Sequence, residues 1–172
     1  MITSNLIQMH PHIGMLQDTI FSLHRFLENI PFNTPIYVVV DGLPPKEVSD
    51  NNKERRKQYI QNIREHNFAP FTNVQAVPME EHKFLAGCVK FTLENYIETE
   101  FLYIIQHDLP FCRKVDHRRL LKTMHEHPDV LFNVRFRQAF GKKVDKQRSN
   151  EQSTLCRNLI YGDMDGTDKQ RD

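Results

Sequence analysis

The stretch "IYVVVDG", residues 36–42, decides the fold. Its first five residues are apolar or aromatic on both alternating faces and three are valine, which predicts a strand covered on both sides. A half-solvated antiparallel strand would alternate apolar with polar. Asp41 and Gly42 then end the run with a common turn pair.

Working outward, "TSNLIQM" (3–9) predicts a first short strand. The following "HPHIGMLQDTIFSLHRFLENI" spaces Ile13, Leu16, Ile20, Leu23 and Leu27 three or four residues apart, as an amphipathic helix requires. Pro31 and Pro35 bracket a turn, and "LPPKEVSDNN" reads as a loop. Residues 53–66 form a charged surface helix with Tyr59, Ile60 and Ile63 on its inner side. "NVQAVP" (73–78) is a third strand, and 85–97 a helix through Leu85, Val89, Leu93 and Ile97. "FLYIIQHDLPF" (101–111) opens as a fourth strand that Pro110 stops, residues 116–128 are a helix stopped by Pro128, and "VLFNVRF" (130–136) is a fifth strand. Strands alternate with helices, so the expectation is an α/β fold. Right-handed crossovers would give a mostly parallel sheet with helices on both faces, in a single domain over 1–140. From Gly141 the pattern turns polar, and 141–172 reads as a C-terminal tail, a lid or a truncated acceptor-side segment.

The chain has 172 residues, 39% hydrophobic and 26% charged, with a formal net charge of +1. That near balance argues against electrostatically driven nucleic-acid binding. The basic groups Lys53, Arg55, Arg56, Lys57 and Arg113, Lys114, Arg118, Arg119 fall at helical spacing and read as solvated faces. Cys88, Cys112 and Cys156 form no CxxC pair, so no disulfide framework is expected and a reducing compartment is. No apolar run approaches the roughly 18 residues a membrane helix needs. No basic segment precedes a hydrophobic stretch at the start, so the expected location is cytoplasmic.

In an open α/β sheet, ligands bind beyond the carboxyl ends of the strands. Those ends carry His10-Pro11-His12 after strand one, Asp41-Gly42 after strand two and Gln106-His107-Asp108 after strand four. A nucleotide diphosphate needs such groups. One carboxylate can hold a divalent ion against the pyrophosphate, while another accepts hydrogen bonds from base or ribose. At Leu85-Ala86-Gly87 the small residues let backbone approach a ligand. Taken singly, these residues have plainer readings. Asp41 is a common turn residue, Asp108 can cap a turn before Pro110, and His107 alternates away from Asp108.

Together "SNLIQMHPHIGMLQDTIFSLH", "IYVVVDGL", "FLAGCVKFTLENYIETEFLYIIQHDLPF" and "VLFNVRF" resemble the nucleotide-binding part of GT-A-fold glycosyltransferases of the family-two type. The resemblance covers roughly residues 3–136. It implies that Asp41 contacts the nucleoside, His10 lies beside the base pocket and Gly87 lies near the donor. Asp108 would be the last carboxylate of a DxD-like motif in which Gln106 replaces the first Asp. The implied cofactor is Mn²⁺ or Mg²⁺ on Asp108, with His107 or an outside ligand compensating for the missing carboxylate. The implied reaction is hexosyl or deoxyhexosyl transfer, inverting, from a nucleotide-diphosphate sugar to a glycan or other hydroxyl acceptor, Asp108 stabilising the departing diphosphate. The acidic residues of the tail, Glu151, Asp163, Asp165 and Asp168, do not reproduce the family's catalytic-base pattern, which leaves the base unassigned.

Two other readings stand beside this one. The His10-x-His12 pair with His107 and Asp108 could assemble a metal-dependent hydrolase. A catalytically inactive nucleotide-sugar-binding or scaffold domain would also suit a chain without a base. "DMDGTD" (163–168) contains a DxD but lacks the glycine and glutamate positions of a calcium loop, and reads as a polar turn.

Overall fold

In the computed structural model β2 (Ile36–Val40) is an inner strand, flanked in register by β3 (Val74–Pro78) on one side and β1 (Ile2–Ser4) on the other. The structure describes residues 1–4, 12–131, 133 and 134. A two-residue strand, β4 (Ile105–Gln106), pairs with the far side of β1. All pairings are parallel, and the order across the sheet is β3-β2-β1-β4. Between the strands run α1 (Gly14–Phe26), α2 (Asp50–Glu65) and α3 (Phe84–Asn95), and α4 (His117–Glu126) follows β4. A short 3₁₀ turn at Pro45–Glu47 precedes α2. The α/β class and the parallel sheet read from the sequence are therefore present.

The sheet is filled from both sides, as the unbroken β2 run requires. Val38, Val39 and Val40 are all fully buried. Val39 packs in a cluster with Met1, Val77, Met79 and Cys88, joined by Tyr37, Val89 and Phe91, so α3 covers that face. Val38 and Val40 alternate to the other face. The right-handed crossover rule places α1 and α2 on that side, because β1, β2 and β3 advance in one direction and β4 returns in the other. The apolar stripes of both helices are buried there, Leu16, Ile20 and Leu23 from α1 with Leu27 at its C-cap, and Tyr59, Ile60 and Ile63 from α2. Each such side chain contributes roughly 1.5–3 kcal/mol of burial.

Helix starts follow capping chemistry. Ser49 Oγ accepts the Asn52 N–H at 3.2 Å, so α2 begins at Asp50, three residues earlier than its apolar pattern suggested. Asp116 caps α4 in the same way through the Arg119 N–H at 2.9 Å. Packing divides the chain into two units, Met1–Lys114 and Val115–Asp172, whereas the sequence reading drew its division at residue 140.

Three expectations are corrected. The fourth strand is not the five-residue run 101–105. Its ladder to β1 is confined to Ile105 and Gln106, and Ile104 is 51% exposed. Among the described residues it has one strand neighbour, which is itself described only to Ser4. The buried stripe of α3 is Cys88 and Thr92, not Leu85 and Leu93, which are exposed. Thr92 can face inward because its hydroxyl donates to the Cys88 carbonyl at 2.8 Å. The described residues of the expected fifth strand are not extended in a sheet. Val130 closes a turn after α4 and is exposed, and Leu131 is buried. Residues 132, 135 and 136 of that run, residues 5–11 of the first strand and its exit, and all of 141–172 lie outside the described residues.

Candidate functional site

The carboxyl end of β2 is built around one buried carboxylate. Asp41 is 2% exposed, and its two oxygens are engaged by its own chain. Oδ1 accepts the N–H groups of Gly42 and Lys83, each at 2.8 Å. Oδ2 accepts the Phe84 N–H at 3.0 Å and lies 2.8 Å from His82 Nδ1. Asp41 thus anchors the N-terminus of α3 from the neighbouring strand, where two peptide N–H groups would otherwise lack partners.

Gly42 makes this approach possible. A Cβ there would lie 2.2 Å from the Glu81 carbonyl carbon and 2.4 Å from the His82 nitrogen. Only glycine lets the segment after β3 close over the end of β2. The strands are parallel and in register to Val40 and Pro78, so their exits already lie side by side. The Met79 N–H extends the pairing by donating to the Val40 carbonyl at 2.8 Å.

His82 is positioned by this closure. Its Nδ1 has two neighbours, Asp41 Oδ2 at 2.8 Å and the Gly42 carbonyl at 3.1 Å. Both are acceptors, so Nδ1 carries the hydrogen and the neutral ring has its lone pair on Nε2. Among the described residues Nε2 has no hydrogen-bond partner. The Phe84 ring meets the imidazole edge-on, centroids 4.2 Å apart, and is itself 69% exposed. Phe84 has φ 56°, the left-handed region that non-glycine residues avoid, and its N–H bond to Asp41 holds it there.

Arg56 closes the site from α2. Its guanidinium donates to the carbonyls of Asp41 at 3.1 Å, Val40 at 3.3 Å and, most closely, Met79. It ties the exits of β2 and β3 together, and burial lowers its pKa while Asp41 opposes that shift. Read from sequence as part of a solvated face, Arg56 is instead a half-buried clamp. Beside it Leu43, Val48, Lys53 and Glu80 line an open cleft of about 220 Å³. On the inner side, burial and then the negative charge of Asp41 push the Cys88 thiol up to about 12.

The exit of β4 is held differently. Thr19 Oγ1 of α1 donates to the His107 carbonyl at 2.7 Å, and Ser22 Oγ accepts the Phe111 N–H at 2.9 Å. Ser22 also donates to the Thr19 carbonyl at 2.6 Å, so two buried hydroxyls fix the 107–111 segment. His107 is buried, whereas Gln106 and Asp108 are exposed at the strand end, and their side chains have no hydrogen-bond or ion-pair partner among the described residues. The two strands are separated only by β1, so their exits lie about 10 Å apart.

No family model, no curated protein and no solved structure matches this chain.

The fold brings Asp41, Gln106 and Asp108 to one edge of the sheet. Gly87 lies in the first turns of α3, where a Cβ would be 2.6 Å from Lys83 Cβ. His107 is turned inward rather than exposed beside Asp108. His10 lies outside the described residues, as do Glu151, Asp163, Asp165 and Asp168. His12 is exposed and lines a separate open cleft of about 280 Å³ with Ile13, Asn62, Glu65 and His66. There the Gln17 amide donates to His66 Nε2 at 2.8 Å. Among the described residues, no group of three or more His, Cys, Asp or Glu is arranged to hold a metal ion. No helix among them is long and apolar enough to cross a membrane. Sequence reasoning missed His82 and Arg56. The signal for His82 was available, since it lies four residues beyond β3, an edge strand whose exit was not read for polar groups.

Proposed function

We propose that this chain binds a nucleoside-diphosphate sugar across the carboxyl edge of its sheet and transfers the glycosyl group to a hydroxyl acceptor. The observation that carries the reading is the strand order β3-β2-β1-β4, which reverses direction beside β1 with polar exits on either side of the reversal. Crevices at such reversals are where open α/β sheets take nucleotides. The Asp41–His82 end is apolar and aromatic on one flank and suits a nucleoside. The exposed Asp108 end suits the diphosphate, and the spacing of about 10 Å between them fits a bound nucleotide lying across β1.

In this reading the binding energy is divided. Asp41, with Arg56 and Gly42, keeps the nucleoside end rigid, and so limits the ordering cost of binding. Gln106 donates its amide N–H to a diphosphate oxygen. Asp108 holds a divalent ion, Mn²⁺ or Mg²⁺, which would neutralise the leaving diphosphate. A single exposed carboxylate binds such an ion weakly unless the diphosphate supplies further oxygens, so metal and nucleotide are expected to bind together.

The test is a thermal-shift series of nucleoside-diphosphate sugars, with and without Mn²⁺, on the native chain and Asp108→Ala. Selective binding raises the melting temperature by mass action. A donor-specific rise that Asp108→Ala loses supports the reading. Stabilisation by metal alone, with no response to any donor, rejects it in favour of metal-dependent hydrolysis.

A further inference from the structure

The buried carboxylate at the end of β2 has no capacity left for a ligand. Its four contacts, to Gly42, Lys83, Phe84 and His82, use both oxygens on both sides. A nucleoside that hydrogen-bonded Asp41 directly would have to displace one of the bonds that start α3. One side chain at this end that keeps an unpaired polar atom among the described residues is the imidazole of His82. Its side chain is 15% exposed, its Nδ1–H is pinned between two acceptors, and its Nε2 lone pair has no partner among the described residues.

We infer that His82, oriented by Asp41, reads the nucleobase, its Nε2 accepting a hydrogen bond from a ring N–H. Uracil and guanine carry such a hydrogen on the pairing edge. Cytosine and adenine carry a lone pair at the same position, which would meet the Nε2 lone pair and leave both unpaired. The exposed Phe84 ring beside the imidazole favours a planar base over a ribose hydroxyl at this point, because base–aromatic contact adds apolar burial that a sugar hydroxyl lacks. The left-handed Phe84 backbone is the cost of presenting that ring. The inference rests on the nucleotide-binding reading above and adds the base class and the residue that selects it.

The experiment is calorimetric titration of UDP, GDP, CDP and ADP into the native chain, His82→Asn and His82→Gln. Asparagine keeps a donor for Asp41 at the Nδ1 position and deletes the Nε2 acceptor, while glutamine places an amide oxygen within reach of the Nε2 position. UDP or GDP is expected to bind the native chain about tenfold or more tightly than CDP and ADP, the usual loss when a polar group is left unpaired. His82→Asn should erase that preference with the melting temperature nearly unchanged, and His82→Gln should keep part of it. The preference in the native chain is decisive even if a variant fails to fold. Tightest binding of CDP or ADP, no base preference, or a preference that survives His82→Asn overturns the role of His82 and leaves nucleotide binding standing. No binding of any nucleoside diphosphate overturns both.

Discussion

Asp41 and His82 meet at 2.8 Å across the exits of two parallel strands, and the carboxylate that orients the imidazole also starts the helix that follows it. One buried charge therefore serves the fold and the site at once. Changes at Asp41 and at its surroundings should separate according to which of these roles they touch.

Asp41→Asn keeps the volume but replaces one acceptor oxygen by a donor. The Phe84 and Lys83 N–H groups then compete for a single oxygen. Unsatisfied buried donors make a loss of roughly 2–4 kcal/mol the expected result, read by urea unfolding. A loss below about 0.5 kcal/mol would show that water takes over the capping.

Gly42→Ala should be worse than its size suggests. The added Cβ meets backbone at 2.2 Å, which no rotamer change relieves, so the segment 80–83 must move away. Destabilisation of roughly 1–3 kcal/mol and loss of nucleotide binding are expected together. Gly14→Ala is the control, since nothing lies within 4 Å of its Cβ position. It should be neutral or stabilising by up to about 1 kcal/mol in the same unfolding assay.

Phe84→Gly should leave stability unchanged or raise it by up to about 1 kcal/mol, because glycine accepts a positive φ freely and little burial is lost from an exposed ring. Nucleotide affinity should nevertheless fall. A variant that gained stability and kept full affinity would remove Phe84 from the site.

The cysteines should differ in reactivity. Cys88 is buried and its thiol is pushed up to about 12, first by burial and then by Asp41, so almost no thiolate exists at neutral pH. Cys112 is exposed. Maleimide labelling of the folded chain, mapped by mass spectrometry, should modify Cys112 and spare Cys88 until denaturant is added.

Acid should weaken the second unit through His117. Burial lowers its pKa from an ordinary 6.5 and outweighs Asp116, which raises it. The unfolded chain then binds the proton more readily than the folded one. The stabilising contribution is full above about 6.5 and is lost as pH falls toward the lowered folded value. His117→Gln should flatten the decline of the melting temperature over that interval relative to the native chain.

Much of the framework was legible in local patterns. Leu16, Ile20, Leu23 and Leu27 of the first helical stripe and the trio Tyr59, Ile60 and Ile63 in α2 are buried as their spacing predicted, while Ile13 is only partly buried. The β2 strand has the bounds its composition implied. The polar exits of β2 and β4 were also visible, because a change from apolar to charged residues within three positions is a local signal. Less legible was the inner face of α3, where Leu85 and Leu93 are exposed and Thr92 is buried. A threonine that satisfies its own hydroxyl on the preceding turn packs like an apolar residue, and spacing alone does not show that. Arg56 was misread for a related reason. Its neighbours Lys53 and Arg55 give it the pattern of a charged face, yet a long side chain can turn inward wherever backbone carbonyls need donors.

The sequence by itself determined that this chain alternates strands with helices around a parallel sheet, because hydrophobic periodicity and turn residues act over a few positions and need no distant partner. Only the tertiary structure decided what Asp41 does. Its partners, Lys83, Phe84 and His82, belong to a segment that reaches it only because β2 and β3 pair in register and Gly42 lacks a Cβ. A carboxylate is chemically able to hold a ligand or a helix, and the choice lies with whichever N–H groups the fold brings within 3 Å.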